Sequence, residues 1–138
     1  MTDLGSEEFW RRVSAEPARL AAEVCYIDVA QIEQAMQKHP ALTAWVLAQH
    51  EVARIAEERA KWTLTVARAR AYARAQGTVD ERKSAVETDG EVMAAQEIVF
   101  ASQEKRGALR AIADALESRT QMLVQISAKQ RQEAKDYH

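Results

Sequence analysis

Turn-forming residues are scarce in this sequence. Its 138 residues include two prolines and four glycines. A sheet of many short strands needs frequent turns, which depend mainly on glycine, proline, asparagine and aspartate. The composition therefore excludes a many-stranded sheet and predicts an all-α fold. The length suits one domain with a modest core.

Cysteine and aromatic residues are also few. Cys25 is the single cysteine, so no disulfide can form within the chain, and nothing indicates an oxidising compartment. Hydrophobic residues make up 47% of the chain but aromatics only 6%. The apolar side chains are therefore mostly small, alanine above all, and we expect close helix packing rather than a thick core.

Signals for secretion and membrane insertion are missing. The N-terminus has neither the basic start nor the apolar run of a signal peptide. The longest uncharged apolar run, around residues 41–49, is far too short to span a bilayer. We therefore expect a soluble, cytoplasmic protein with no membrane partner.

No catalytic or metal-binding constellation is present in the sequence. His39, His50 and His138 are dispersed, with no carboxylate or cysteine at ligand spacing, so we expect surface or capping roles for them. Gly77 stands without the Lys-Ser/Thr pair of a phosphate-binding loop. The sequence therefore predicts no catalytic residue, no metal, no cofactor and no enzymatic activity.

Helix signals first predict two short N-terminal helices. Ser6, followed by two acids, is a good N-cap, and Pro17 should interrupt the helix that it starts. A second short helix should begin after Asp28 and end near Lys38. It should end there because the residue before Pro40 is driven out of the α region.

Two long helices should follow, over residues 40–76 and from Glu91 past Arg131. Gly77 sits where a C-capping glycine is expected, and a short acidic connector comes after it. This order predicts a long helical hairpin. One hairpin with a single apolar stripe on each helix buries little surface, so we expect further copies of the chain to cover the rest in a homo-oligomer.

The second long helix has apolar residues at steps of mainly three, four and seven, which predicts a helix-packing seam. They are Val92, Ala95, Val99, Leu109, Ile112, Leu116, Leu123 and Ile126. On the first long helix, 3.6 residues per turn place one stripe on the face that we expect to be buried. This stripe is Ile55, Trp62, Val66, Ala69 and Ala73.

Charge is segregated, although the formal net charge is only −2. Residues 61–76 contain no acid and carry +4, whereas residues 77–97, with six acids against two bases, carry −4. The four cations are Lys61, Arg68, Arg70 and Arg74. A local field of this kind can steer a polyanion, so we predict that these four residues bind DNA. A solvated helix face is the alternative interpretation.

Two aromatic residues near these cations could stack on bases. Packing in the apolar stripe is the favoured interpretation for Trp62, and Tyr72 is the better stacking candidate.

Short motifs follow one another in a fixed order from Tyr26 onward. They are Ile27-Asp28, the alternating run Ala67 to Ala71, the connector Gly77 to Glu81, Ala85-Val86, Asp89, Val92, Ala115 to Arg119, Leu123 and Ile126. In order and spacing, this pattern resembles the UvsY-like recombination mediators of tailed phages. The resemblance covers about four fifths of the chain, so residues 26–138 are expected to form the mediator domain and residues 1–25 an N-terminal helix or arm.

The resemblance implies a ring-forming helical protein that binds single-stranded DNA in the host cytoplasm. Such a protein helps a phage recombinase displace the single-strand-binding protein and nucleate its filament. In that family a basic residue, a small residue and an arginine late in the long helix contribute to DNA binding. Arg68, Ala69 and Arg70 match them here. Residues 63–65 are less basic than the family pattern, which implies weaker binding per subunit.

A helical scaffold or adaptor without DNA binding is the alternative function. Its basic side chains would pair with the acidic connector of a neighbouring subunit. The sequence leaves open the ring size, with a heptamer as one candidate, and the identity of the recombinase and single-strand-binding partners.

Overall fold

The computed structural model describes residues 6–26 and 29–137, and within them the chain is helical with no strand. The helices are α1 (Glu7–Ala15), α2 (Pro17–Cys25), a 3-10 turn (Val29–Gln31), α3 (Ile32–Arg74), α4 (Val79–Glu87) and α5 (Gly90–Asp136). The all-α prediction and the pair of long helices are confirmed. The helix start predicted at Ile27 and Asp28 lies outside the described residues.

The chain divides into two compact units. One consists of residues 51–106, and the other combines residues 1–50 with residues 107–138. The helices α3 and α5 contribute to both units. All four predicted DNA-binding residues belong to the unit of residues 51–106, which is called the hairpin unit below.

In the other unit, α1 begins after Ser6 and ends before Pro17 as the sequence predicts, whereas α2 was not predicted. The Ser6 hydroxyl accepts a hydrogen bond of 3.1 Å from the backbone N–H of Phe9, and Pro17 occupies the first turn of α2. The buried Arg12 connects these helices, because its guanidinium donates to both carboxylate oxygens of Glu23 at 2.6 and 2.7 Å. This contact lowers the pKa of Glu23.

The predicted helix break at Pro40 is wrong, because α3 continues through it. A proline inside a helix removes a hydrogen bond and costs about 3 kcal/mol, so packing must offset that cost. His39 and Val46 on either side are buried, and His39 Nε2 lies 2.6 Å from Thr120 Oγ1. The expected surface or capping role of His39 is therefore also wrong. Burial, together with the nearby Arg119 charge, lowers the pKa of His39.

The connector between the long helices has well-defined caps. Gly77 has a φ of +105°, the left-handed conformation expected of a glycine after a helix end. Thr78 and Glu81 then form a capping box at the start of α4, each side chain accepting from the other's backbone N–H. Asp89 caps α5, since its Oδ1 accepts from the backbone N–H groups of Glu91 and Val92 at 3.0 and 3.2 Å.

The buried face of α3 in the hairpin unit differs from the predicted one. The buried residues, at steps of four and three, are Ala53, Glu57, Ala60, Leu64, Ala67 and Ala71. The predicted stripe is wrong, since Trp62 is 70% exposed and Ile55 is 42% exposed. The helix has two apolar stripes, and the one with smaller side chains packs against α5. Small side chains allow a closer approach of the two helices.

On α5 the predicted seam is confirmed. Seven of its eight residues are buried, and Ile126 is half-buried. The hairpin unit's core combines residues of α3, α4 and α5: Ala60, Leu64, Ala67, Ala71, Val86, Val92, Ala95 and Val99.

An ion pair forms a polar layer in this otherwise apolar seam. Arg106 Nη1 lies 2.6 Å from Glu57 Oε2, and the Glu57 side chain is only 5% exposed. Lys61 Nζ lies 3.3 Å from the other Glu57 oxygen. Hydrogen bonding to Arg106 is the main cause of a lowered pKa at Glu57. Arg106 interrupts the apolar pattern of α5 because it meets this carboxylate.

We expect Glu57→Gln to lower the free energy of unfolding by about 1 to 3 kcal/mol, because the substitution removes the charge of a buried carboxylate that accepts a hydrogen bond from Arg106. Urea unfolding at fixed protein concentration measures this change. Glu58→Gln is the matched control, since Glu58 is adjacent but exposed. Equal stability of the two variants would contradict a structural role for the Glu57–Arg106 pair.

The same pair gives a pH signature. Glu57 has a lower pKa in the folded chain than its ordinary value of 4.5. The Glu57 carboxylate therefore makes its full contribution to the free energy of unfolding above pH 4.5. This contribution is lost as pH falls through the folded pKa. The stability difference between wild type and Glu57→Gln should be full at pH 7 and shrink below about pH 4.5. A difference that is constant with pH would contradict this assignment.

Candidate nucleic-acid interface

The four predicted DNA-binding residues are exposed on α3, but the structure does not bring them together on one surface. Arg70 and Arg74 form one group, next to the start of α5. Arg68 contacts α5 elsewhere, and Lys61 lies about two turns before Arg68 beside acids of its own helix.

Arg70 and Arg74 converge on one carboxylate. Arg70 Nη1 lies 3.4 Å from Glu91 Oε1, and Arg74 Nη1 lies 3.4 Å from Glu91 Oε2. Because the two arginines are four residues apart on a helix, they project from the same face. Arg74 Nη2 also lies 2.9 Å from Asp89 Oδ2. This contact is the main reason why the pKa of Asp89 is lowered and that of Arg74 is raised.

Arg68 reaches the opposite flank of α5, where its Nη2 donates to Gln96 Oε1 at 3.3 Å. Residues 68 and 70 are separated by about 200° around α3. Their partners Glu91 and Gln96 are separated by about 140° around α5. Arg68 and Arg70 therefore lie on either side of the seam rather than in one continuous patch.

Lys61 is paired within α3. Its Nζ lies 3.3 Å from Glu57 and 3.7 Å from Glu58, one turn earlier in the helix. The absence of acids within residues 61–76 therefore does not leave Lys61, Arg70 and Arg74 unpaired. Their carboxylate partners come from the preceding turn of α3, from the first turn of α5 and from Asp89, which caps α5. Arg68 differs from the other three, because the side chain that it contacts is a neutral amide.

Both aromatic candidates are exposed, Trp62 at 70% and Tyr72 at 36%. The guanidinium carbon of Arg82 lies 5.5 Å from the centroid of the Tyr72 ring, which is within cation–π range. Trp62, expected to be packed, is instead exposed in a shallow groove beside Ile55 and Arg59. The ring more accessible to a base is therefore that of Trp62.

Trp62 belongs to an exposed apolar surface that sequence analysis misassigned. This surface, called the outer stripe here, consists of Val52, Ile55 and Trp62 on α3 and Ile98 on α5. Arg59 lies among these residues and makes no ion pair with the described part of the chain. The two apolar stripes of α3 have the same period, so periodicity alone does not show which of them is buried. A comparison of side-chain sizes could have identified the alanine-rich stripe as the one that packs against α5.

Other kinds of site have no support in residues 6–26 and 29–137. No group of three histidine, cysteine, aspartate or glutamate side chains converges there as metal ligands, and His138 lies outside these residues. No helix in the same part of the chain combines the length and the apolarity needed to cross a bilayer.

Comparison with known proteins gives no assignment. No family model matches the chain, and neither a curated protein nor a solved structure matches it.

We expect Trp62 to emit at long wavelength in dilute protein, because its ring is open to water. The difference spectrum between wild type and Trp62→Phe measures this emission. Trp45→Phe is the control, since Trp45 is half-buried with its ring centroid 5.3 Å from that of Phe9, and its difference spectrum should be blue-shifted. A blue-shifted Trp62 spectrum at all dilutions would contradict the exposure.

Proposed function

We propose that this protein is a single-stranded DNA-binding recombination mediator that acts as a homo-oligomer. In the host cytoplasm it would help a phage recombinase load onto DNA covered by single-strand-binding protein. The observation that carries the proposal is the exposure of its arginines and the length of their contacts with Glu91. Arg70 and Arg74 are 65% and 55% exposed, and their contacts with Glu91 are as long as 3.4 Å.

Exposed ion pairs contribute little to stability, since water and salt screen them. A DNA phosphate can therefore replace the carboxylate and form charge-assisted hydrogen bonds with the guanidinium groups. Contacts of this kind recognise every phosphate alike, which suits binding without sequence preference. The resemblance of Arg68-Ala69-Arg70 to a DNA-binding element of the UvsY-like family supports the same proposal.

The separation of Arg68 from Arg70 favours binding by an oligomer. A single copy offers a strand few contacts on either flank of the hairpin unit. Repeated copies would present these contacts in series, and a strand that touches several copies gains through effective concentration. The outer stripe supports self-association, because exposed apolar patches commonly mark interfaces. A ring is one closed arrangement that would repeat the contacts.

A helical scaffold without DNA binding is the second candidate. The observation that favours it is that Lys61, Arg70 and Arg74 already have carboxylate partners in the same chain. In a scaffold these pairs would only support the helix packing. Such a protein would assemble through its apolar surface and would not respond to DNA.

We expect Arg68→Ala combined with Arg70→Ala to weaken binding of a labelled single-stranded oligonucleotide, because two cations that face phosphate are lost. Anisotropy titrations across a salt series measure the effect. The slope of log affinity against log salt should become shallower by about 0.7 for every phosphate contact that the substitutions remove. Helicity and subunit number should not change.

The matched control is Arg11→Ala combined with Arg110→Ala, which removes the same charge from exposed positions outside the hairpin unit. Equal affinities of the two double variants would place the DNA site elsewhere. Lys129 and Arg131, near the end of α5, would then be the next residues to replace.

A further inference from the structure

We propose that Arg70 and Arg74 form a seat for one backbone phosphate of single-stranded DNA, and that the Glu91 carboxylate occupies this seat when no DNA is bound. The inference rests on the proposed DNA-binding function. It adds that the Glu91 carboxylate competes with a DNA phosphate for the two arginines. Glu91 would then set the affinity of the site although it makes no favourable contact with DNA.

The geometry of the two arginines is that of an anion site. They stand one turn apart on α3, and each directs an Nη1 group at a different oxygen of Glu91. A phosphate diester also presents two charged oxygens to such a pair. Both Glu91 distances are 3.4 Å, longer than the 2.7 to 2.9 Å usual for strong charge-assisted bonds. The carboxylate therefore fills the site without closing tightly on it.

Asp89 holds one side of the seat in place. Its Oδ2 lies 2.9 Å from Arg74 Nη2, while its Oδ1 caps α5 through the backbone N–H groups of Glu91 and Val92. Asp89 is thus fixed by its helix and orients the Arg74 guanidinium. It is a positioning residue, and its replacement would alter the start of α5 as well as the seat.

The Glu91 carboxylate does not cap a helix, and its structural role is limited to a favourable charge in the first turn of α5. Its side chain is 43% exposed and contacts Arg70 and Arg74. The carboxylate can swing into water when a phosphate approaches. Exchange of one exposed anion for another makes the contact reversible, which suits a protein that must pass its strand to a recombinase.

The substitution Glu91→Gln tests the seat, because glutamine keeps the shape of the side chain and removes the competing charge. We expect the variant to bind a labelled oligothymidylate about two- to tenfold tighter than wild type, the range expected for releasing exposed ion pairs. Glu97→Gln is the matched control. It removes the same charge from an exposed position of α5 that shows no contact with Arg70 or Arg74. We expect it to change affinity by less than twofold.

A second variant separates the seat from a general charge effect. If Glu91 acts by competing for Arg70 and Arg74, its replacement should give a smaller gain when Arg74→Gln is already present, because only the contact with Arg70 remains to be released. Adding Glu91→Gln to Arg74→Gln should therefore raise affinity by a smaller factor than adding it to wild type, a non-additivity expected for groups in contact. An unchanged gain in that background would overturn the seat. Circular dichroism and sedimentation velocity check that fold and subunit number are retained.

The outcomes distinguish this inference from the function on which it rests. Failure of the wild-type chain and Glu91→Gln alike to bind at low salt would overturn the DNA-binding function itself. Binding by wild type, with equal affinities for Glu91→Gln and Glu97→Gln, would leave DNA binding in place and overturn the phosphate seat. Weaker binding by Glu91→Gln than by wild type would also overturn it.

Discussion

The close packing of α3 against α5 across an alanine-rich seam decides where every candidate site residue of the hairpin unit lies. Small side chains such as Ala60 and Ala67 let the helices approach, so long side chains beside the seam reach the other helix. Arg68 extends to one flank, and Arg70 extends to the other. The Glu57–Arg106 pair adds a polar contact between the two helices, in which the carboxylate is buried and the guanidinium is partly exposed.

This packing places carboxylates beside the arginine-rich segment of α3. The start of α5 brings its capping residue Asp89, together with Glu91, to Arg70 and Arg74, so the charges balance within one chain. These ion pairs are exposed to solvent, and another anion can therefore displace the carboxylates from the arginines. A protein that binds a strand and then releases it needs contacts of this moderate strength. The same packing leaves the outer stripe uncovered, as an apolar surface suited to self-association.

Local signals in the sequence predict those helix ends that depend on capping by neighbouring residues. Ser6 and Gly77 are examples. Packing across the chain could not be predicted in the same way. Pro40 lies inside a helix because buried neighbours offset its cost. The predicted burial of Trp62 is wrong because α3 has two apolar stripes with the same period. The partners of Arg74 lie fifteen and seventeen residues away, and no periodicity reveals such a contact.

The most direct test of DNA binding is the salt dependence of wild-type affinity for a single-stranded oligonucleotide, with duplex DNA of the same length as the control. We predict tighter binding to the single strand. Log affinity should fall against log salt by about 0.7 per phosphate contact, with a total that requires more than one copy of the chain. Absence of binding at low salt would contradict the proposed function and would leave the arginine pairs of the hairpin unit with a structural role alone.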